Sequence, residues 1–324
     1  MSVPVYYDNF QVTVVISTYN RGSLIKRTLD SVFAQTMPPD EVIVVDDVST
    51  DGTGDWVKEN YPTVKVIRNS VNLMTSESRN VGAREAGGNV LIFLDHDDEL
   101  LPKGIEILLG GLAAFPEAKA SFSDHTLNDK VRKKFQPNHY EFIADYKKRL
   151  SALRPSVVSG GYSLFKPKSF YRNLIRGNML QQPYAVYKKV FTEIGGYRRS
   201  VYYCEDWDMY LRLIYRAQFV FTKKIVSNHI IERGSLSLND AWHMWLKVLW
   251  HQFFTVDIID VYSRVLLLRK ISILYKTKGD QLLRSNFSRA YLYYLKAFLV
   301  WPFDPAVACR ALFVFPLFWC KKNA

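Results

Sequence analysis

Of 324 residues, 48% are hydrophobic and 23% charged, ordinary globular values with ample material for one large domain or one domain plus an appendage. A net charge of +12 favours anionic partners such as phosphates, anionic lipid or nucleic acid without choosing among them. Cys204, Cys309 and Cys320 lie far apart with no CxxC pair, which excludes a disulfide scaffold and leads us to expect a reducing, cytoplasmic setting.

The start of the chain shows no basic leader before an apolar run, so no secretory signal is expected. A spanning helix needs roughly 18 to 20 apolar residues; the nearest stretch, Ala306 to Cys320, is too short and contains Arg310. In chain order, Val12 to Ser17 predicts a doubly buried strand and Leu24 to Gln35 a helix. Glu41 to Asp46 predicts a strand, Asp51 to Asn60 a short helix, and Val64 to Ile67 a third strand. Ser76 to Ala86 predicts a helix stopped by Gly87-Gly88, and Val90 to Leu94 a fourth strand. A helix opened by Pro102 and running to about Leu112 follows, then a strand over Ala118 to Ser123. Periodicity fades from Asp124 to Pro183. Order returns at Ala185 to Lys188, with helices near Val190 to Ile194 and over Trp207 to Arg216. The expected fold class is α/β, a Rossmann-like, mostly parallel sheet flanked by helices. After about Leu238 the chain turns helical and aromatic. The expected boundaries are therefore 1–238 and a helical extension over 239–324, the first part divided into halves of about 10–123 and 124–238.

In an open α/β sheet, ligands bind at the carboxyl ends of strands, where this chain places its polar clusters. Strand one exits into Thr18-Tyr19-Asn20-Arg21, strand two into Asp46-Asp47, and strand four into Asp95-His96-Asp97-Asp98. Carboxylates as crowded as Asp95, Asp97 and Asp98 repel, and a hard divalent cation, Mg²⁺ or Mn²⁺, relieves them. Such an ion suits the two phosphates of a sugar nucleotide. A solvated acidic turn before the Pro102 helix is the plainer alternative. His96 is expected to face solvent. A carboxylate of Asp46-Asp47 can accept from a base N–H or ribose hydroxyls, or shape an Asx-type turn. Arg79 can meet a base carbonyl or a phosphate, or lie on a surface helix. Gly195-Gly196-Tyr197 permits close approach of backbone to a ligand. Glu205-Asp206 opens the next helix, either as favourable N-terminal charge or as a source of the general base that an acceptor hydroxyl requires; Asp206 is the preferred candidate.

With these residues in place, the sequence resembles family 2 glycosyltransferases, of the A-type glycosyltransferase fold. The matching runs are Val15 to Arg21, Val44 to Thr53, Arg79 to Gly82, Phe93 to Asp98, and Gly195-Gly196-Tyr197 with Glu205-Asp206, covering roughly 10–240. The resemblance implies an inverting transferase that uses a nucleotide-diphosphate sugar, with UDP the expected carrier, and a glycan or lipid-linked acceptor in cell-surface polysaccharide synthesis. It implies that Thr18 and Tyr19 line the nucleoside pocket, beside Asn20, Arg21 and Asp46. By the same resemblance Asp47 contacts the base, Arg79 lies beside the nucleotide, and Asp95 and Asp97 serve ribose and metal. Asp98 is an alternative ligand, His229 a further candidate, Glu205 belongs with the substrate residues, and Asp206 is the base.

Two places depart from the family pattern. Met74 stands where glycine is frequent, so that loop is expected to differ. Glu232 stands where histidine often precedes a stretch like Gly234-Ser235-Leu236-Ser237. No Gln-x-x-Arg-Trp follows Trp207, which points to single addition rather than polymer synthesis. Ala241 to Phe254 and Tyr291 to Trp301 are aromatic, amphipathic and interspersed with Lys247 and Lys296. They suit packing on the catalytic domain or docking on the inner face of the cytoplasmic membrane. A sugar nucleotidyltransferase would need a glycine-rich triphosphate loop, for which Ser17 to Ser23 supplies only Gly22 and Arg21. A non-catalytic basic scaffold or membrane-surface binding protein would not require the carboxylates, and no nucleic-acid module is present.

Overall fold

All seven residues of β1 (Val12–Thr18) are buried, as an apolar, β-branched run should be inside a parallel sheet covered on both faces. The computed structural model describes residues 9–22, 24–137, 154–168, 170–176, 178, 180–232, 242–255, 260–283, 285–308 and 311. The chain divides into two units, Met1–Asn239 and Asp240–Ala324.

The first unit opens with alternating elements: β1, α1 (Leu24–Phe33), β2 (Glu41–Asp46), α2 (Thr53–Asn60), β3 (Lys65–Arg68), α3 (Met74–Glu85) and β4 (Val90–Asp95). These strands lie in the order β3-β2-β1-β4, all parallel. The chain travels outward from β1 through β2 to β3, then crosses back to place β4 on the other side of β1, so a crevice falls between the ends of β1 and β4. Register sets what lines it. Thr18 pairs with Asp46, Ser17 with Asp95, and Asp46 with Arg68. The polar ends of three strands therefore emerge at one level on one rim.

Beyond β4 come β5 (Glu99–Leu100), α4 (Gly104–Ala114), β6 (Ala120–Asp129), β7 (Lys134–Gln136), β8 (Val157–Ser159) and β9 (Tyr162–Phe165). Then follow α5 (Tyr171–Arg176), β10 (Tyr184–Tyr187), α6 (Lys188–Glu193), α7 (Glu205–Arg216) and β11 (Phe219–Ile231). The sheet continues β4-β10-β6-β11-β9-β8, with β10 antiparallel to both neighbours and β11 parallel to β6. The result is a mixed sheet, parallel throughout its first four strands. Phe93 of β4, Tyr184 of β10 and Phe122 of β6 stack across it at centroid separations of 5.7 and 5.2 Å.

The strands and helices expected up to Ser123 are present, with shifted ends. α2 begins at Thr53 because Asp51 Oδ1 accepts the Thr53 N–H at 3.0 Å. From 124 onward the order at Ala185 to Lys188 and the helices near 190–194, over 207–216 and after 238 have counterparts in the structure, but several elements were missed. β6 runs to Asp129, β7, β8, β9 and α5 were not anticipated, and neither was the 13-residue β11. Lys223-Lys224 and Ser227-Asn228-His229 interrupt the apolar pattern of β11, and pairing with β6, β9 and β5 makes it a strand.

The second unit contains α8 (Trp242–Thr255), α9 (Val261–Leu282) and α10 (Phe287–Val300). Ser272 Oγ donates to the Ala297 carbonyl at 2.9 Å and the Tyr294 hydroxyl to Asp280 at 2.8 Å, locking α9 to α10. Among the described residues, no helix is long and apolar enough to cross a membrane.

Gly82 lets α3 sit against the sheet, since a Cβ there would lie 2.4 Å from Val15 Cγ1. Gly82→Ala should therefore destabilise the protein by about 1–3 kcal/mol despite alanine's better helix propensity. Urea unfolding of the two proteins checks this, and a more stable variant would contradict the packing.

Candidate active site

α3 turns Arg79 inward until it is only 3% exposed. Nη1 donates to Glu205 Oε1 at 2.7 Å and Nη2 donates to Asp95 Oδ1, so one cation ties the end of β4 to the start of α7. The Tyr197 ring lies 5.2 Å from the guanidinium carbon. Burial opposes all three charges. The ion pair nonetheless holds Arg79 well above its ordinary value and Asp95 below its own, while burial keeps Glu205 raised. Arg79, expected beside a nucleotide, is committed to these two carboxylates.

Asp206 follows Glu205 at the N-terminus of α7. Its Oδ1 accepts the Trp207 N–H at 2.7 Å, and its Oδ2 accepts Asn178 Nδ2 at 2.8 Å. Burial, with the Glu205 charge beside it, pushes the carboxyl up to about 7. Asp208, fully buried below it, accepts from Arg198 and Arg212 at 2.9 Å each. Arg212 in turn donates to the carbonyls of Ile194 and Gly196 at 2.7 Å. The Gly195-Gly196 turn, expected to approach a ligand, instead packs on Asn80: a Cβ on Gly196 would lie 2.6 Å from Asn80 Oδ1. The Asn80 amide also donates to the Tyr197 carbonyl and accepts the Tyr197 N–H, at 2.7 and 2.9 Å.

At the β4 exit, Arg21 Nε donates to His96 Nε2 at 2.6 Å, so the ring proton sits on Nδ1 and faces the Ser17 carbonyl at 3.0 Å. His96 is thus a strut between the ends of β1 and β4 rather than a solvent-facing side chain. The Asp97 carboxylate makes no hydrogen bond or ion pair with the described residues; only its carbonyl is engaged, by Arg27. Asp98 differs. It is 1% exposed, with Oδ1 accepting the Ile230 N–H at 3.0 Å and Oδ2 2.9 Å from His229 Nδ1. The pairing of Glu99 with Asn228 in β5 and β11 places these groups together. Burial pushes Asp98 up to about 6. Burial works against the His229 charge, but Asp98 raises its pKa to about 9. Asp98, expected as a metal ligand, is therefore the buried partner that orients His229. Glu232 pairs with Arg27 and Lys130, and residues 234–237 lie outside the described residues.

At the first two exits, Thr18 is 2% exposed with Oγ1 bonded to no described residue, and Tyr19 is 46% exposed. Asn20 takes a left-handed backbone, φ 49°, its N–H on Ser49 Oγ and its Oδ1 on the Thr50 N–H. Asp46 accepts the Ser49 N–H at 2.9 Å, and its other oxygen lies 3.8 Å from Arg68 Nε. Asp47 accepts Asn69 Nδ2 and the N–H groups of Leu73 and Met74, at 2.7, 2.8 and 2.8 Å. Both aspartates shape the loops around the crevice. Met74 has φ 64°, a conformation that glycine adopts without strain, so methionine keeps the backbone geometry that the Asp47 bonds require.

The residues fit a divalent cation in one arrangement. A ligating histidine usually donates its other ring N–H to a carboxylate, as His229 does to Asp98, leaving Nε2 to coordinate. Asp97 supplies an uncommitted carboxylate. Among the described residues no three acidic, His or Cys side chains gather closely enough to hold a metal alone.

An open α/β sheet with an acidic rim at its switch point defines the class of domain, and comparison with known proteins names the family. The model for glycosyl transferase family 2 matches residues 13–173. An uncharacterized glycosyltransferase of Haemophilus influenzae is 28% identical over 64% of this chain and 63% of its own length. The poly(ribitol-phosphate) beta-glucosyltransferase of Bacillus spizizenii is 39% identical over 31% of this chain and 16% of its own length. The chain thus spans less than two thirds of these curated relatives. The crystal structure of S. aureus TarS 1-349 in complex with UDP-GlcNAc shares the fold, with a TM-score of 0.63 and 15% identity over 90% of this chain and 81% of that one. Residues 13–173 of this chain belong to the family 2 glycosyltransferases.

Replacing Arg79 by Met should cost about 3 kcal/mol, because two carboxylates lose their shared counter-charge. Removing the Glu205 charge as well, in R79M/E205Q, should recover part of that loss. Denaturant unfolding of the single and double variants reads the difference.

Proposed function

We propose that this chain transfers a sugar from a nucleotide diphosphate, UDP by preference, to an acceptor hydroxyl with inversion, Asp206 acting as general base. The observation that carries this reading is the α7 carboxyl pushed up to about 7 by burial and Glu205, on a helix start that Arg79 ties to the end of β4. A base poised near neutral pH takes the acceptor proton most effectively. In the step, the acceptor oxygen bonds to the anomeric carbon as the bond from that carbon to the diphosphate breaks. The proton passes to Asp206 and the nucleoside diphosphate leaves. Thr18, Tyr19, Asn20 and Arg21 would line the nucleoside, Asp46 and Asp47 hold the loops around it, and Asp95 serve the ribose. Asp97 and His229 would hold Mn²⁺ or Mg²⁺, which when bound neutralises the departing diphosphate. TarS, solved with UDP and with UDP-GlcNAc, supports the choice of donor.

Asp206→Asn should lower transfer by about a hundredfold or more while leaving donor binding intact. Because the base works deprotonated, kcat should fall as pH drops below about 7, approaching tenfold per unit. Screening nucleotide sugars for saturable binding, with and without Mn²⁺, identifies the donor; no binding across the panel would remove the reading.

The acceptor is proposed to be a glycan or lipid-linked sugar in cell-surface polysaccharide synthesis, reached from the cytoplasmic face of the membrane. Supporting this, residues 240–324 carry 12 Lys and Arg against 5 Asp and Glu. On α10, Leu292 and Leu299 are 55% and 79% exposed at spacings that put them on one helical face with Lys296, and Phe303, in the turn that follows, is 77% exposed. An aromatic and basic face of this kind binds anionic bilayers. The full-length L299E/F303E variant should lose sedimentation with phosphatidylglycerol vesicles that the parent shows; equal sedimentation would dispose of the docking surface.

A further inference from the structure

Asn178, from the segment after α5 where the sequence pattern is weakest, is hydrogen-bonded to an α7 carboxylate. Its amide Nδ2 donates to Asp206 Oδ2 at 2.8 Å, while its Oδ1 accepts the Leu180 N–H at 3.2 Å. The second bond ties the side-chain amide back to its own loop and orients the NH₂ toward Asp206. The opposite carboxylate oxygen is held by the Trp207 N–H at 2.7 Å. Two donors from different segments thus define the carboxylate plane, and a donor aimed at one oxygen sets which lone pair remains for a substrate proton.

We propose that Asn178 is a positioning residue for the reaction: it fixes the rotamer of Asp206 and favours its ionised form. This rests on Asp206 being the general base. The charged and titratable groups facing Asp206 are Glu205 on its own helix, Arg79 from α3, Asp95 from β4, and the phenols of Tyr197 and Tyr210. Glu205 and Asp95 oppose ionisation and Arg79 supports it. A neutral donor in contact adds support without adding charge.

The discriminating experiment measures parent, N178A, N178D and D206N as full-length proteins. Release of UDP from UDP-GlcNAc and UDP-glucose is followed against pH, with water as acceptor. UDP affinity and ¹³C-carboxyl NMR of aspartate-labelled protein are recorded alongside, D206N identifying the Asp206 resonance. N178A should raise the Asp206 midpoint by about one unit and move the acidic limb of kcat upward with it. It should also lower kcat by roughly tenfold at neutral pH and change UDP affinity less than twofold. N178D, which places a like charge on Asp206, should shift the midpoint further and serves if N178A fails to fold. An inactive D206N with an unshifted resonance in both Asn178 variants overturns the positioning role alone. A D206N protein as active as the parent overturns the base and the positioning role together.

Discussion

The site depends on one buried cation with two anionic partners. Arg79 cannot stay in the interior uncompensated, because desolvating an unpaired guanidinium costs several kcal/mol. Asp95 and Glu205 compensate it from opposite sides. Asp95 ends the strand that completes the parallel half of the sheet, and Glu205 starts the helix that carries the proposed base. Burial raises both adjacent carboxyls: Glu205 holds the guanidinium directly, while Asp206, bonded instead to Trp207 N–H and Asn178, has the Glu205 charge beside it and is pushed up to about 7.

Around this centre, the residues of the family motifs act as much on one another as on a substrate. Asp47 anchors the start of α3, Asp98 orients His229, His96 joins two strand ends, and Asn80 clasps the backbone of Tyr197. Pre-arranged dipoles and charges of this kind need little reorganisation when a substrate arrives, which is the main source of electrostatic catalysis. Two strongly acidic stretches thus hold geometry, while the Asp97 carboxylate makes no hydrogen bond or ion pair with the described residues and only its carbonyl is engaged, by Arg27.

The first four strands and the helices between them were legible because buried parallel strands read as continuous apolar runs and their helices alternate with them; their order β3-β2-β1-β4 came from the structure. The second half was not. β10 shows as a short ordered run, but nothing in it tells that it enters antiparallel between β4 and β6, and β11 carries lysines and a polar stretch that hide it from periodicity. The Gly195-Gly196 turn was recognisable as a tight approach, but its partner, Asn80, lies 116 residues away from Gly196 and no local pattern names it.

The amino-acid sequence by itself determined which residues end the strands: the acidic and polar clusters after β1, β2 and β4, the α7 carboxylates, and an α/β sheet that sets strand ends on one rim. Local chemistry suffices for that, because strand burial and turn formation are properties of short segments. Only the tertiary structure decided which carboxylate pairs with Arg79, that Asp98 faces His229, and that Asn178 touches Asp206. Those partners sit 16 to 131 positions apart, and their pKa values follow from shared burial, which no isolated segment possesses.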